Sequence, residues 1–200
     1  MRKPKKDRRM RTSTLKFIVA AAVTGIFILT FSFSYAWGRS EQQIEERTAT
    51  DVFTTIDLED FEGNSFTMDD IADTKLIAYN IWETTCPACL GEMGALEELS
   101  REYDPSQFRL IGICADLHGA DGELKPQQLE TAKELMKAAG VTFPNLIPDQ
   151  GLRDFFRSTI VGFPTTFFVN NEGKIIKATA GARGLEQWEK LVDAELENLQ

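Results

Sequence analysis

The sequence predicts an α/β domain: one mixed sheet with helices on both faces, carried behind an N-terminal transmembrane helix. Three observations predict it. Compact apolar runs alternate with segments of helical period, as expected for strands and covering helices. A strand–turn–strand pattern and a last amphipathic helix close the chain. An uncharged run of 22 residues, 17–38, precedes all of this.

That run amounts to about 33 Å of helix against about 30 Å of hydrocarbon. Residues 1–39 carry nine Lys/Arg and one acid, whereas residues 40–200 carry 13 Lys/Arg and 30 acids. The positive-inside bias therefore puts residues 1–16 in the cytoplasm as a basic tail and the acidic domain outside the cell membrane, on a single-pass chain. Tyr35 and Trp37 fall where aromatic rings favour the interface. A cleaved signal peptide, cut after Ala36, is the competing reading; the run is longer than the usual apolar core of about 7–15 residues, which favours an anchor. Both readings export the domain. A net charge of −17 over residues 40–200 excludes nucleic acid as a partner, since phosphate binding needs a basic face.

Residues 39–51 are polar and read as a linker, so the folded domain spans 52–200. Val52–Leu58 alternates and reads as a strand, Glu62-Gly63-Asn64 as a turn, and Ser65–Met68 as the returning strand. Lys75–Trp82 and Phe108–Cys114 are buried strands. Cys86–Tyr103 is a helix with Leu90, Met93, Leu96 and Leu99 at helical spacing, although Gly91 and Gly94 weaken it. Gln127–Ala139 is a helix closed by Gly140. Thr142–Ile147 is extended but broken by Pro144, and Leu152–Arg157 is a short helix. Thr166–Val169 and Lys174–Thr179 form a hairpin about Asn170–Gly173, and Leu185–Leu199 is the closing helix.

Chemistry concentrates at Cys86-Pro87-Ala88-Cys89, which follows a buried strand and opens a helix. At a helix start, free backbone N–H groups and the positive end of the dipole stabilise a thiolate at Cys86, and the thiolate is the nucleophile. Two intervening residues let Cys89 reach the first sulfur, so the pair can cycle between dithiol and disulfide. Pro87 suits the first turn, where its missing N–H is no loss. A static bridge or half a zinc site are the alternatives; the latter would need Cys114 and His118 to complete it. A c-type haem site needs His directly after the second Cys, where Leu90 stands. Cys114 lies in an apolar strand and reads as a core residue, with a redox role as the alternative. No cofactor is implied.

The sequence resembles the TlpA/ResA-like thioredoxin-fold thiol–disulfide oxidoreductases over about residues 51–198. The resemblance rests on Phe61-Glu62-Gly63-Asn64, Tyr79-Asn80-Ile81-Trp82, Cys86–Cys89, Glu92-Met93, Phe143–Leu146, Gly162–Thr166 and Gly173. It implies a thioredoxin-like fold with an N-terminal β-hairpin extension, and a redox-active Cys86–Cys89 disulfide. It also implies a cis Phe163–Pro164 bond beside the cysteines, and a client-binding surface that includes Phe163, Pro164, Trp82 and Pro87. The backbone before Pro164 could then pair with an extended client segment; an ordinary trans turn is the alternative. Glu92 would tune the thiols or move protons, rather than being only a solvated helix charge. The implied partners are a membrane thiol-electron transporter as donor and an oxidised exported protein as client: apocytochrome c or a methionine sulfoxide reductase.

This chain departs from the family pattern at three places. Thr85 stands where the family has Trp, Glu83 where it has a small apolar residue, and Gly94 where it has Pro. A carboxylate at Glu83 opposes the helix dipole in setting the Cys86 pKa. The peroxiredoxin pattern Pro-x-x-x-Thr/Ser-x-x-Cys is not met, because Tyr79 and Glu83 occupy its first two positions. A copper chaperone of the assembly type wants Cys-x-x-x-Cys and a distant His, and this chain has neither.

Overall fold

The computed structural model describes residues 52–199. The expected basic tail, anchor and linker lie outside the described residues. Seven strands form one sheet in the order β2-β1-β5-β4-β3-β6-β7. They are β1 Asp57–Asp60, β2 Ser65–Thr67, β3 Leu76–Trp82, β4 Phe108–Cys114, β5 Asn145–Ile147, β6 Thr165–Asn170 and β7 Ile175–Ala180. The helices are α1 Pro87–Glu102, α2 Pro126–Ala139, α3 Gln150–Thr159 and α4 Leu185–Asn198, and a 3-10 turn covers Met68–Ile71. β3, β4 and β5 run parallel, while β6 is antiparallel to β3, so the sheet is mixed. This is the thioredoxin-like α/β arrangement.

Strand periodicity divides the core. Ile77, Tyr79 and Ile81 of β3 join Phe53, Leu152, Phe155 and Phe156 on one face. Leu76, Ala78 and Trp82 join Met93 and Leu96 of α1, Met136 of α2 and Trp188 of α4 on the other. All seven residues of β3 are buried, as a central strand covered on both faces requires.

The structure corrects several boundaries. The Val52–Leu58 segment is not a strand through its length: Val52–Thr55 is turn, and pairing begins only at Asp57. Its alternating apolar residues are buried for another reason, since Phe53 stacks on Tyr79 with ring centroids 4.4 Å apart. Thr142–Ile147 shortens to β5, because Pro144 has no N–H for the ladder and serves only as acceptor, from Gly112 N–H at 2.8 Å. The helix expected at Leu152–Arg157 is longer, because the Asp149 carboxylate caps it by accepting Leu152 N–H at 2.8 Å. Met68, expected as strand, begins the 3-10 turn.

Gly112 is required by packing. A Cβ there would run into the side chain of Asn145, its neighbour on β5. That Asn145 side chain accepts the Trp82 indole N–H at 2.9 Å. The glycine thus makes room for the amide that anchors the indole four residues before Cys86.

Candidate active site

β3 delivers the site. It ends at Trp82, and the chain turns through Glu83–Thr85 into α1. Cys86 is the N-cap of α1, with extended backbone, and its sulfur accepts the Cys89 N–H at 3.2 Å. Such a position satisfies one otherwise unpaired helix donor with a sulfur, the interaction that favours a thiolate once the bridge is opened. Pro87 occupies the first helical position and is exposed. Cys86 and Cys89 form a disulfide, with Cα atoms 5.3 Å apart. The two sulfurs are not equivalent: Cys86 is half-buried, and Cys89 is fully buried in the apolar cluster beneath α1.

The Phe163–Pro164 bond is cis. β6 starts one residue later, with Thr165 opposite Ile81. That register brings the cis-proline loop to the end of β3 from which the cysteine loop departs. Phe163 is half-buried and Pro164 is buried, its carbonyl accepting from Gly181 N–H at 2.8 Å. Trp82, by contrast, is fully buried. Its contribution to the site is to hold the end of β3 through Asn145.

Glu92 lies on α1 one turn after Cys89, on the same face, and is only 2% exposed. Asn80 Nδ2 donates to its Oε1 at 3.1 Å, and the Arg183 backbone N–H donates to its Oε2 at 3.0 Å. Burial outweighs these bonds and pushes its pKa up to about 7. Asn80 also donates to Thr166 at 3.1 Å, joining β3, β6 and α1 around the carboxyl.

A second carboxylate organises the loop on the other side. Asp116, just past β4, accepts the Thr84 hydroxyl at 2.6 Å, Gln128 Nε2 at 2.9 Å and the Cys114 thiol at 3.1 Å. Burial acts against its charge, but these bonds hold its pKa below the ordinary value. Cys114 is therefore a buried core thiol whose acidity is suppressed, first by burial and then by the Asp116 charge. Burial and Asp116 likewise raise the Glu83 pKa. The sequence does not single out Asp116, Gln128 or Arg183, and it names Asn80 only within the Tyr79–Trp82 motif, with no role assigned. Asn80 carried a signal, as a polar residue within an apolar run; Asp116 lay in a polar loop with nothing to mark it.

Comparison with known proteins agrees with this geometry. A family profile described as the AhpC/TSA family matches residues 49–178. The chain is 27% identical over 187 residues to the thiol-disulfide oxidoreductase ResA of Halalkalibacterium halodurans, covering 94% of this chain and 96% of that one. It is 25% identical to the thioredoxin-like protein YneN of Bacillus subtilis over 69% of this chain and 75% of that one. Among solved structures, a thiol:disulfide interchange protein from Chlorobium tepidum superposes with a TM-score of 0.59 at 22% identity, over 71% of this chain and 93% of that one. StoA from Bacillus subtilis gives 0.53 at 20% identity, over 70% and 98%. These two structural likenesses bear on the fold.

The pattern required of a peroxiredoxin cysteine is absent here too, for Tyr79 is a buried strand residue and Glu83 a loop carboxyl. A Cys-x-x-Cys disulfide at a helix start, on a thioredoxin-like fold with ResA as a relative over most of the chain, makes the protein a thiol–disulfide oxidoreductase. By the profile match, which spans well over half of its length, the chain belongs to the AhpC/TSA family.

Proposed function

We propose that the protein is a membrane-anchored, extracytoplasmic reductant of disulfides in exported proteins. The observation that carries the reading is the asymmetry of the pair: Cys86 half-buried at the helix start, Cys89 fully buried behind it. In the reduced protein the Cys86 thiolate attacks one sulfur of a client disulfide, and the client's other sulfur leaves as a thiolate. Cys89 then attacks the Cys86 sulfur, releasing the second client thiol. Two electrons pass to the client, and the Cys86–Cys89 disulfide remains. A membrane thiol-electron transporter restores the dithiol.

Glu92 is the proton carrier for Cys89 in this scheme: a carboxyl titrating near neutrality can accept the resolving thiol's proton and return it. Phe163 and Pro87 form the surface on which the client segment lies, with Pro164 and Trp82 buried beneath it. The uncharged run 17–38 and its basic flank support anchoring and export. Apocytochrome c and an exported methionine sulfoxide reductase are the clients this reading favours.

The test is the reduction potential of the full-length protein in detergent, set against glutathione and dithiothreitol buffers. A reductant opens reversibly at a potential well below about −200 mV, where the folded far-ultraviolet spectrum is retained. A potential near that of strong oxidants reverses the direction of transfer, and opening only on unfolding makes the bridge structural.

A further inference from the structure

One cavity that the mechanism does not use borders the active-site loops. It has a volume of about 360 Å³ and lies between Glu83, His118, Arg153, Phe156, Arg157 and Phe163. The volume is within the range of specific ligand pockets, about 300–1,000 Å³. Phe163 belongs to the cis-proline loop, and Glu83 is three residues before Cys86, so an occupant sits next to the disulfide. Between two of the lining residues, Ile160 and Phe163, the chain exposes Val161 and Gly162, and Val161 is 72% exposed, conspicuous for an apolar side chain.

The cavity is charged against the grain of the domain. Residues 40–200 carry a net −17, yet two guanidinium groups face one carboxyl here. Glu83 is the weaker opponent, since burial and Asp116 make its charge easier to lose. Burial, and then the Arg153 charge, lower the His118 pKa, and its Nδ1 is buried with no hydrogen-bond partner. Arg157 is paired with Asp154 at 2.9 Å, but both ends are more than half exposed, and such a pair is readily exchanged. Arg153 makes a long bond, 3.3 Å, to the Pro148 carbonyl and keeps further donors.

We propose that this cavity is a specificity pocket for an acidic side chain of the client, adjacent in sequence to the client cysteine that Cys86 attacks. The client segment runs extended along Val161–Phe163. Its Asp or Glu carboxylate enters between Arg153 and Arg157 and is within reach of the His118 ring. The proposal rests on the oxidoreductase function above and names the clients that function prefers: the domain is acidic overall, yet two arginines line the cavity beside its disulfide loops.

The test uses the reduced full-length chain in detergent and three synthetic peptides, each closed by one disulfide and differing only in Asp, Ala or Lys next to a cysteine. The reading is the ratio of second-order reduction rates within each protein variant, so partial loss of folded protein cancels. The wild type is expected to reduce the Asp peptide at least about tenfold faster than the Lys peptide, a preference that shrinks as salt is raised. In Arg153→Glu/Arg157→Glu, and to a lesser degree in Arg157→Glu alone, the ratio falls to one or inverts. Lys174→Glu/Lys190→Glu makes the same change in net charge away from the cavity and should leave the ratio in place. Equal rates with the Asp and Lys peptides overturn the pocket, as does a ratio that the lysine pair moves as far as the arginine pair. If the wild type reduces none of the three peptides, the function on which the pocket rests is itself overturned.

Discussion

Asp116 accepts both the backbone N–H of Thr84, at 3.2 Å, and its hydroxyl, at 2.6 Å, two residues before Cys86. The same carboxylate accepts from Gln128 of α2 and from Cys114 at the end of β4. The loop that presents the nucleophile is thus tied to two further elements through one side chain. Asp116→Asn replaces an acceptor oxygen with an NH₂ that must face donors. A loss of about 1–3 kcal/mol in denaturant unfolding is expected, the usual range for a buried donor left unpaired. The sign with pH also follows. A carboxylate whose folded pKa is depressed stabilises above its unfolded value of 3.8, and this is lost as pH falls through the lower folded value. The difference between wild type and Asp116→Asn should therefore close only below about pH 4. A variant as stable as wild type at pH 7 would show that the loop does not depend on this carboxylate.

Cys114 gives a simpler expectation. It is fully buried, and its thiol is held protonated by burial and by Asp116. With the Cys86–Cys89 bridge intact, iodoacetamide at pH 8 should label no described cysteine of the native protein and one thiol after unfolding. Reduction should add labelling at Cys86 first. Rapid native labelling at Cys114 would contradict its placement in the core.

How much of this was legible in the sequence depends on the kind of signal. β3 and β4 are continuous apolar runs, and central strands of a parallel sheet demand that composition, so their bounds came out within a residue. Cys86, Pro87 and Cys89 were legible because N-cap, first-turn and helix-face positions have fixed spacing. The Val52–Leu58 alternation misled, since Phe53 and Ile56 are buried by stacking and packing rather than by pairing. Asp116 was invisible: nothing in Ala115-Asp116-Leu117 signals that Thr84 and Gln128, which lie 32 residues before and 12 residues after it, will converge on one carboxylate. Hydrogen bonds between distant loops leave no periodicity.

Glu92 makes a prediction with the opposite sign to Asp116. Burial raises its folded pKa from 4.5 to about 7. The unfolded chain then ionises first, so stability is greatest below pH 4.5, falls as pH rises to about 7, and is level beyond. The full swing is on the order of 3 kcal/mol. Glu92→Gln removes the ionisation, and its stability should lack that fall across pH 4.5–7. It should also lose the step near pH 7 in the rate of client release, if Glu92 carries the Cys89 proton. Identical pH profiles of stability in the two proteins would show that the carboxyl is not perturbed.

The last prediction follows from the unequal burial of the two sulfurs. Client attack needs an accessible thiolate, and Cys86 is the half-buried member at the helix N-terminus. Resolution needs a thiol one helical turn away, and Cys89 is that residue, with Cα atoms 5.3 Å apart. Cys89→Ser removes the resolving thiol but keeps the backbone N–H at that position as a donor to the Cys86 sulfur. The nucleophile is preserved and its escape route is gone, so the variant should accumulate as a mixed disulfide with its client. The complex should run as a larger band without reductant, collapse on adding dithiothreitol, and yield the client by mass spectrometry. An apocytochrome c or a methionine sulfoxide reductase in the band would decide between the two favoured clients. Cys86→Ser leaves only a sulfur that is fully buried, and should trap far less. Equal trapping by the two variants would mean that burial does not decide which sulfur attacks, and absence of any trapped species would leave the bridge a structural one.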